Sequence, residues 1–384
     1  MKISDDIFYV GVSDKKLDLF EGQYKVPNGM SYNSYIIKDE KIAVLDTVDK
    51  RFKDEWLNNI KEVLGETDPD YLVVHHMEPD HSSNIKNFID KYPNCKIVSS
   101  LASFNMMKNY FGTNFSDKQV VIEEGSKLDL GSHKLNFIAA PMVHWPEVHV
   151  SFEEKEGILF SADGFGKFGV MGTDESWDDE ARRYYIGIVG MHGLFVQKLL
   201  KKASTLPIKK ICPLHGEILT ENLIHYIDLY DKWSGYKKEK EGVLIAFTTV
   251  YGHMKEAVDK LSDEFRTNNI NVEVFDLNHC EMSEAVAKAF AYENIVLATT
   301  TYNNGIFPIM SDFVHRLIEH KFQNKNLGIM EGGTWAPQAA NILINKLKDL
   351  PNVKINENIV TVLGSLNSEN EKKLKELART LCNI

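Results

Sequence analysis

The chain has 384 residues, 43% of them hydrophobic and 26% charged, with a formal net charge of −11. That length suits two domains of ordinary size, and the acidity removes the basic footprint of a nucleic-acid binder. No apolar run is long enough to cross a bilayer, and Met1-Lys2-Ile3-Ser4-Asp5-Asp6 lacks the apolar core of a signal peptide. A cytoplasmic protein with no membrane partner is therefore expected.

In chain order, Tyr35-Ile36-Ile37 and Ile42-Ala43-Val44-Leu45 read as a hairpin turned at residues 38–41. Residues 53–64 carry apolar side chains at helical spacing. Strands are expected at 71–75, 95–99, 120–123, 135–139, 148–152 and 157–161. The first of these runs into "VVHHMEPDHSS", residues 73–83, where His76, Glu78, Asp80 and His81 crowd one loop. Pro79 stiffens the loop, and Ser82 or Ser83 is placed to cap a helix from near Asn84. So many titratable groups in a few residues would repel or go unsatisfied without a cation.

Later strand ends supply matching pieces. "APMVHWPE" offers His144, "LFSADGFG" offers Asp163 and "ICPLHGE" offers His215. A single histidine after a strand is usually an ordinary structural residue. Seven groups in this order (His76, Glu78, Asp80, His81, His144, Asp163 and His215) exceed what one metal takes from protein and suit two, with Asp163 as the shared bridge. The set has no thiolate, and imidazole plus carboxylate suits iron or manganese better than a structural zinc site. His149 and His192 are candidate supports behind the ligands. His75 should point away by strand alternation, and His133, His225, His279, His315 and His320 read as surface or helix residues. Cys95, Cys212, Cys280 and Cys382 form no Cys-x-x-Cys pair, which argues against a disulfide framework, a zinc ribbon or a built-in iron–sulfur centre.

Residues 231–242 are polar and read as a linker, with the domain boundary at 240/241. Beyond it, strands at 243–247, 271–275, 295–298, 327–330 and 359–363 alternate with helices near 254–267, 283–291, 310–320, 336–348 and 368–381. That alternation predicts a doubly wound parallel sheet of flavodoxin-like pattern, with its crevice at the carboxyl ends of the strands. Three strand-end loops face that crevice. The first holds Thr248, Thr249, Val250, Tyr251, Gly252, His253 and Met254 at a helix N-terminus, which suits a phosphate. The second holds Thr300, Thr301, Tyr302 and Asn303. The third holds Gly332, Gly333, Thr334 and Trp335, where glycines admit a planar ring and an aromatic can wall it in. There is no Walker lysine and no Gly-x-Gly-x-x-Gly, so together the loops point to FMN.

With "VPNGMSYNSYIIKDEKIAVLDT", "HMEPDHS", "HWPE", "SADGFG" and "PLHGE" followed by this second half, the chain resembles the flavodiiron proteins, or A-type flavoproteins, along essentially its whole length. The resemblance implies a metallo-β-lactamase-like αββα sandwich at 1–240 followed by a flavodoxin-like FMN-binding domain at 241–384. It implies one iron on His76, Glu78, His144 and Asp163, and another on Asp80, His81, His215 and Asp163. It also implies reduction of O2 to water, of NO to N2O, or both, with FMN relaying electrons. The donor would be a separate one such as rubredoxin or a reduced flavin or deazaflavin system, and the chains would form a head-to-tail homodimer or a dimer of dimers. The chain departs from the family at Met254, where Ser or Thr is usual, and at Thr334, where Gly is common. It departs again near His192, where a tyrosine often stands. The rival reading is a binuclear zinc hydrolase of the metallo-β-lactamase type fused to a flavodoxin-like module. Glu78, a hard anionic ligand in place of that family's second histidine, argues against it. A third reading, an electron carrier or sensor with a structural metal site, sits poorly with seven ligands on loops.

Overall fold

The structure, a computed structural model, describes residues 1–382. It divides into two compact units, Met1–Asp231 and Lys232–Ile384. The division falls ahead of the expected 240/241 boundary, and the segment read as a linker is largely ordered structure. The helix Leu223–Ser234 runs into it, and the first strand of the second unit starts at Lys240. Trp233 anchors the segment: it is buried, and its indole N–H donates to Glu239 at 2.7 Å.

The first unit is built on two sheets. One has the strand order Ile7–Tyr9, Tyr35–Lys38, Ile42–Leu45, Tyr71–Val73, Lys96–Ser100 and Gln119–Ile122. The other has Lys127–Asp129, Lys134–Ala139, His149–Glu153, Ile158–Phe160 and Lys210–Cys212. Period-two alternation divides the side chains between two cores. Ile37, Ala43, Leu45 and Val73 meet Leu135, Phe137, Ile158 and Phe160 between the sheets. Ile36, Val44 and Leu72 point the other way, onto Trp56 and Ile60 of the helix Lys53–Leu64 and onto Phe88 of Ile85–Lys91. Beyond the second sheet, Leu159 and Ile211 pack towards Leu200 and Ile227 of the helices Gly193–Ala203 and Leu223–Ser234. The layers are helix, sheet, sheet, helix, as expected.

Several elements went unread in the sequence. The strand Ile7–Tyr9 and the helices Leu101–Phe111, Trp177–Tyr184 and Gly193–Ala203 are among them, while the helix expected from near Asn84 is present as Ile85–Lys91. The strand expected over 71–75 ends at Val73. The serines do not cap the next helix either. A helical turn, Pro79–Ser82, starts earlier with proline at its first position, and Ser82 Oγ donates back to the Met77 carbonyl at 2.8 Å.

The second unit is a parallel sheet in the order Val272–Asp276, Lys240–Phe247, Tyr292–Tyr302, Lys325–Gly332, with Val353–Ile355 and Val360–Val362 both pairing with the last of these. This is the flavodoxin-like order. The fifth strand, expected at 359–363, is split. Asn356 Oδ1 accepts the backbone N–H of Asn358 in a local turn, which interrupts the edge ladder. The helices His253–Thr267, Met282–Ala291, Pro308–Glu319, Ala339–Leu347 and Ser368–Cys382 follow the expected stretches closely. No helix among the described residues is long and apolar enough to cross a membrane.

Candidate metal centre and flavin cleft

All seven predicted ligands converge. They sit in the loop after Tyr71–Val73 and its helical turn, and in the loops after Lys134–Ala139, Ile158–Phe160 and Lys210–Cys212. Freed from the ladders, these loops aim successive side chains at one place. Parts of the backbone are strained to do so. Met142 precedes His144 with φ 64°, and Ala162 and Phe165 flank Asp163 with φ 50° and 64°. Gly216, at φ 78°, is required after His215, because a Cβ there would lie 2.6 Å from Lys167 Cγ.

The ligand atoms form two clusters that share Asp163. In the first, Glu78 Oε2 lies 3.3 Å from His76 Nε2 and 3.0 Å from His144 Nε2. Asp163 Oδ2 is 3.3 Å and 3.1 Å from the same nitrogens. In the second, Asp80 Oδ2 is 3.3 Å from both His81 Nε2 and His215 Nε2, which are 2.9 Å from each other. Asp163 Oδ1 faces these two at 3.6 and 3.7 Å. One carboxylate thus turns one oxygen to each cluster.

These groups suit cations better than one another. Both oxygens of Asp80 and of Asp163 are buried without a hydrogen bond, a costly state unless positive charge compensates it. Burial alone would raise both Asp163 and Glu78, yet the facing imidazoles His76 and His144 hold both below the usual carboxylate range. His144 is pushed up to about 9 by Asp163 and Glu78 in spite of its burial. The ring orientations agree. His76 Nδ1–H donates to Glu147 at 2.9 Å and His215 Nδ1–H to the Ser31 carbonyl at 2.7 Å, which turns each Nε2 inward. His76, His81, Asp163 and His215 are sealed, while Glu78, Asp80 and His144 retain slight exposure and mark the mouth.

Several supporting residues were not singled out in the sequence. Glu147 lies inside the quoted "HWPE", but its role depends on a tertiary contact. Glu21 is exposed as a residue, yet its carboxyl rests against Glu78, and burial together with the Glu78 charge pushes it up to about 7. It sits at φ 49° on the turn joining Leu19–Phe20 to Tyr24–Lys25. Tyr184 is buried with its ring 5.5 Å from His215. His192 is half-buried, and the charge of His144 reaches it. His149 Nδ1 bonds the Glu147 carbonyl at 2.9 Å, so it braces the support rather than a ligand. His75 does point elsewhere, to Asp46 and to Ser151 at 2.8 Å. His133, read as a surface or helix residue, is fully buried between Glu153 and Asp6, because the second sheet covers it.

In the second unit the three loops line a cleft of about 420 Å³, within the range of small-molecule sites. Thr249, Val250, Tyr251, His253, Met254, Thr300, Thr301, Tyr302, Asn303, Gly332, Gly333, Thr334 and Trp335 all line it. Thr248 does not: it is buried and bonds Thr299 at 2.7 Å. Gly252 does not either; it turns the chain at φ 95° into the helix whose first residues, His253 and Met254, face the cleft. Met254 is buried floor rather than a phosphate donor. Thr301 Oγ1 also accepts the backbone N–H groups of Gln338 and Ala339, capping the next helix. Asn304, Ala336, Val362 and Gly364 complete the lining. Val362 ends the last strand and Gly364 follows it, at the sheet end where the topology already placed the crevice. The buried Thr300 Oγ1 has no hydrogen bond, an orphan that a polar ligand edge would satisfy. The residues present fit a flat, anionic, partly polar cofactor.

Residues 30–216 match the family model described as ODP family beta lactamase. The chain is 28% identical over 393 aligned positions to the nitric oxide reductase of Moorella thermoacetica, covering 99% of this chain and 97% of that one. Among solved structures it is similar to the rubredoxin oxygen:oxidoreductase of Desulfovibrio gigas, with TM-score 0.91 and 25% identity over 100% of this chain and 98% of that one. The flavodiiron protein of Giardia intestinalis shares the fold, with TM-score 0.90 and 24% identity over 100% and 95%.

Proposed function

We infer the activity from the premise that this chain is a flavodiiron protein: it reduces O2 to water, NO to N2O, or both, with electrons relayed through FMN. The observation that carries this reading is the double cluster, four imidazoles and three carboxylates with Asp163 turned to both halves. We assign one iron to His76, Glu78, His144 and Asp163, and the other to Asp80, His81, His215 and Asp163. Bound there, the iron pair supplies the electrons and open positions for reducing the gas, and FMN supplies the electrons to the pair.

The chain's own residues do the rest. Glu147 and the Ser31 carbonyl fix the imidazole tautomers, so each Nε2 presents a lone pair. The buried rings of Phe20, Tyr32 and Tyr184 stand about His215 and keep bulk water from that side. The mouth at Glu78, Asp80 and His144 is where a small gas enters. In the second unit, the helix starting at His253 takes the phosphate and the glycine loop at Gly332-Gly333 admits the ring.

We also assign FMN contacts to the lining residues, a separate redox protein or reduced cofactor as donor, and a head-to-tail homodimer. The cleft's exposed aromatic rim supports a docked partner there: Tyr251 is 89% exposed and Trp335 81%. Four free cysteines fit a reducing, cytoplasmic setting. The test is a visible spectrum and metal analysis of the purified protein, then anaerobic reduction and a comparison of O2 and NO consumption. Flavin, iron and gas uptake are expected. Zinc with ester or thioester cleavage and no flavin dependence would establish the hydrolase instead.

A further inference from the structure

The two halves of the metal centre look alike in their ligands and differ in what stands behind them. Each cluster has two imidazoles, one carboxylate of its own and a share of Asp163. Behind His76, however, lies an anion. Glu147 is 1% exposed, and its Oε1 accepts both His76 Nδ1–H at 2.9 Å and the Met77 backbone N–H at 2.8 Å. Its Oε2 is buried with no hydrogen bond, and its one ion pair among the described residues is with His76. Among the described residues no lysine or arginine forms an ion pair with it. Behind His215 stands only a neutral acceptor, the Ser31 carbonyl at 2.7 Å. His81 Nδ1 is buried with no hydrogen bond at all. Around His215 the neighbours are rings: Phe20 at 5.4 Å, Tyr184 at 5.5 Å and Tyr32 at 5.9 Å.

A buried carboxylate that takes a histidine N–H makes that imidazole a stronger electron donor to its metal. It also places a full negative charge one ring away in a poorly screened interior. Both effects favour the higher charge state of the adjacent metal. A carbonyl dipole does far less. Resting on the flavodiiron reading above, we propose that Glu147 is a positioning residue that makes the two metal sites electronically unequal, so that the iron held by His76, Glu78 and His144 becomes trivalent first. The step is the loss of one electron from the diferrous pair to a one-electron outer-sphere oxidant of the ferricyanide class. The oxidant is itself reduced, leaving one ferrous and one ferric ion. The second site, walled by rings, keeps its ferrous ion longer.

The test is an anaerobic redox titration of the iron- and FMN-loaded protein, wild type against Glu147→Gln, followed by Mössbauer and electron paramagnetic resonance spectroscopy. Glutamine keeps the shape and one acceptor oxygen but removes the charge. With both irons retained, removal of the first electron should become about tenfold less favourable, equivalent to 59 mV for one electron. The mixed-valent population should shrink, and the ferric quadrupole doublet should move while the ferrous one stays. An unchanged titration, or movement of the ferrous doublet alone, would overturn the proposal. Should Glu147→Gln fail to hold iron, Glu147→Asp decides. Recovery of iron and of the wild-type titration supports a role for charge, and no recovery overturns it. Failure of the flavodiiron reading itself would appear earlier, as wild-type protein without an iron pair.

Discussion

The first unit builds its site from charged side chains, and the second builds its site from almost none. Four imidazoles and three carboxylates meet around the metal positions, most of them sealed from solvent. The flavin cleft is lined by threonines, glycines, asparagines and aromatics, and among the described residues no lysine or arginine lines it. A multivalent cation needs opposing charge in a dry place, so its ligands cannot be exchanged for neighbours of similar size. A planar cofactor with a phosphate needs surface complementarity and backbone N–H groups, which many side chains can frame. The metal site should therefore fail abruptly on single substitutions and the cleft by degrees.

The sharpest break should come at His215→Ala, which removes one imidazole from the second cluster. Gas reduction should fall by more than about 100-fold, judged against the 10–100-fold typical of supporting residues alone. The flavin absorbance should remain. Full turnover by this variant would erase the contrast.

Gly332→Val is the matching break in the other unit. A Cβ there would lie 2.9 Å from Thr300 Cγ2, and overpacking of this kind costs about 1–3 kcal/mol. FMN affinity should drop by about 10- to 100-fold while iron content stays at the wild-type level. Equilibrium dialysis of FMN with parallel metal analysis checks both halves of that statement.

A smaller effect is expected from Lys325, buried at the start of the strand Lys325–Gly332 and donating to the Phe290 and Tyr292 carbonyls. Burial lowers it to about 7, and a neutral amine still has donors for both carbonyls. A base with a depressed folded pKa binds fewer protons folded than unfolded. Its contribution to stability therefore rises with pH from about 7 towards lysine's ordinary value near 10.4. The melting temperature of the wild type relative to Lys325→Gln should climb by a few degrees over that window, read by flavin release on heating. A flat difference would refute the assignment. Smallest of all, Trp335→Ala removes an 81% exposed ring at the rim. It should weaken FMN by about 0.5–1.5 kcal/mol, the scale of an aromatic contact, and a loss beyond 100-fold would mean the ring is part of the cleft's frame.

The same contrast explains what could be read from sequence. The ligands were legible because histidine and carboxylate crowded after strands have few other uses, and all seven converge. The cleft was legible at its three principal loops, but Thr248 and Gly252 turned out to shape it from behind. The layered architecture of the first unit was implied by the family resemblance, and the structure shows the alternation behind it, as at Ile36 and Ile37 on opposite faces of one strand. What escaped depends on contacts far apart in the chain. Glu147 finds His76 across 71 residues, and His133 is buried because Asp6 lies 127 residues away and Glu153 lies across its sheet. No local pattern marks such pairs. Likewise the break in the last strand turns on one side chain, Asn356, folding back on its own backbone.

Asp163 serves both halves of one metal centre, with one carboxylate oxygen turned to each. Metal analysis of purified wild type beside Asp163→Ala tests it directly. An iron pair is expected in each wild-type chain and loss of both ions in the variant, with FMN retained. A variant that kept its full iron content, or a functional wild type filled with zinc, would contradict it.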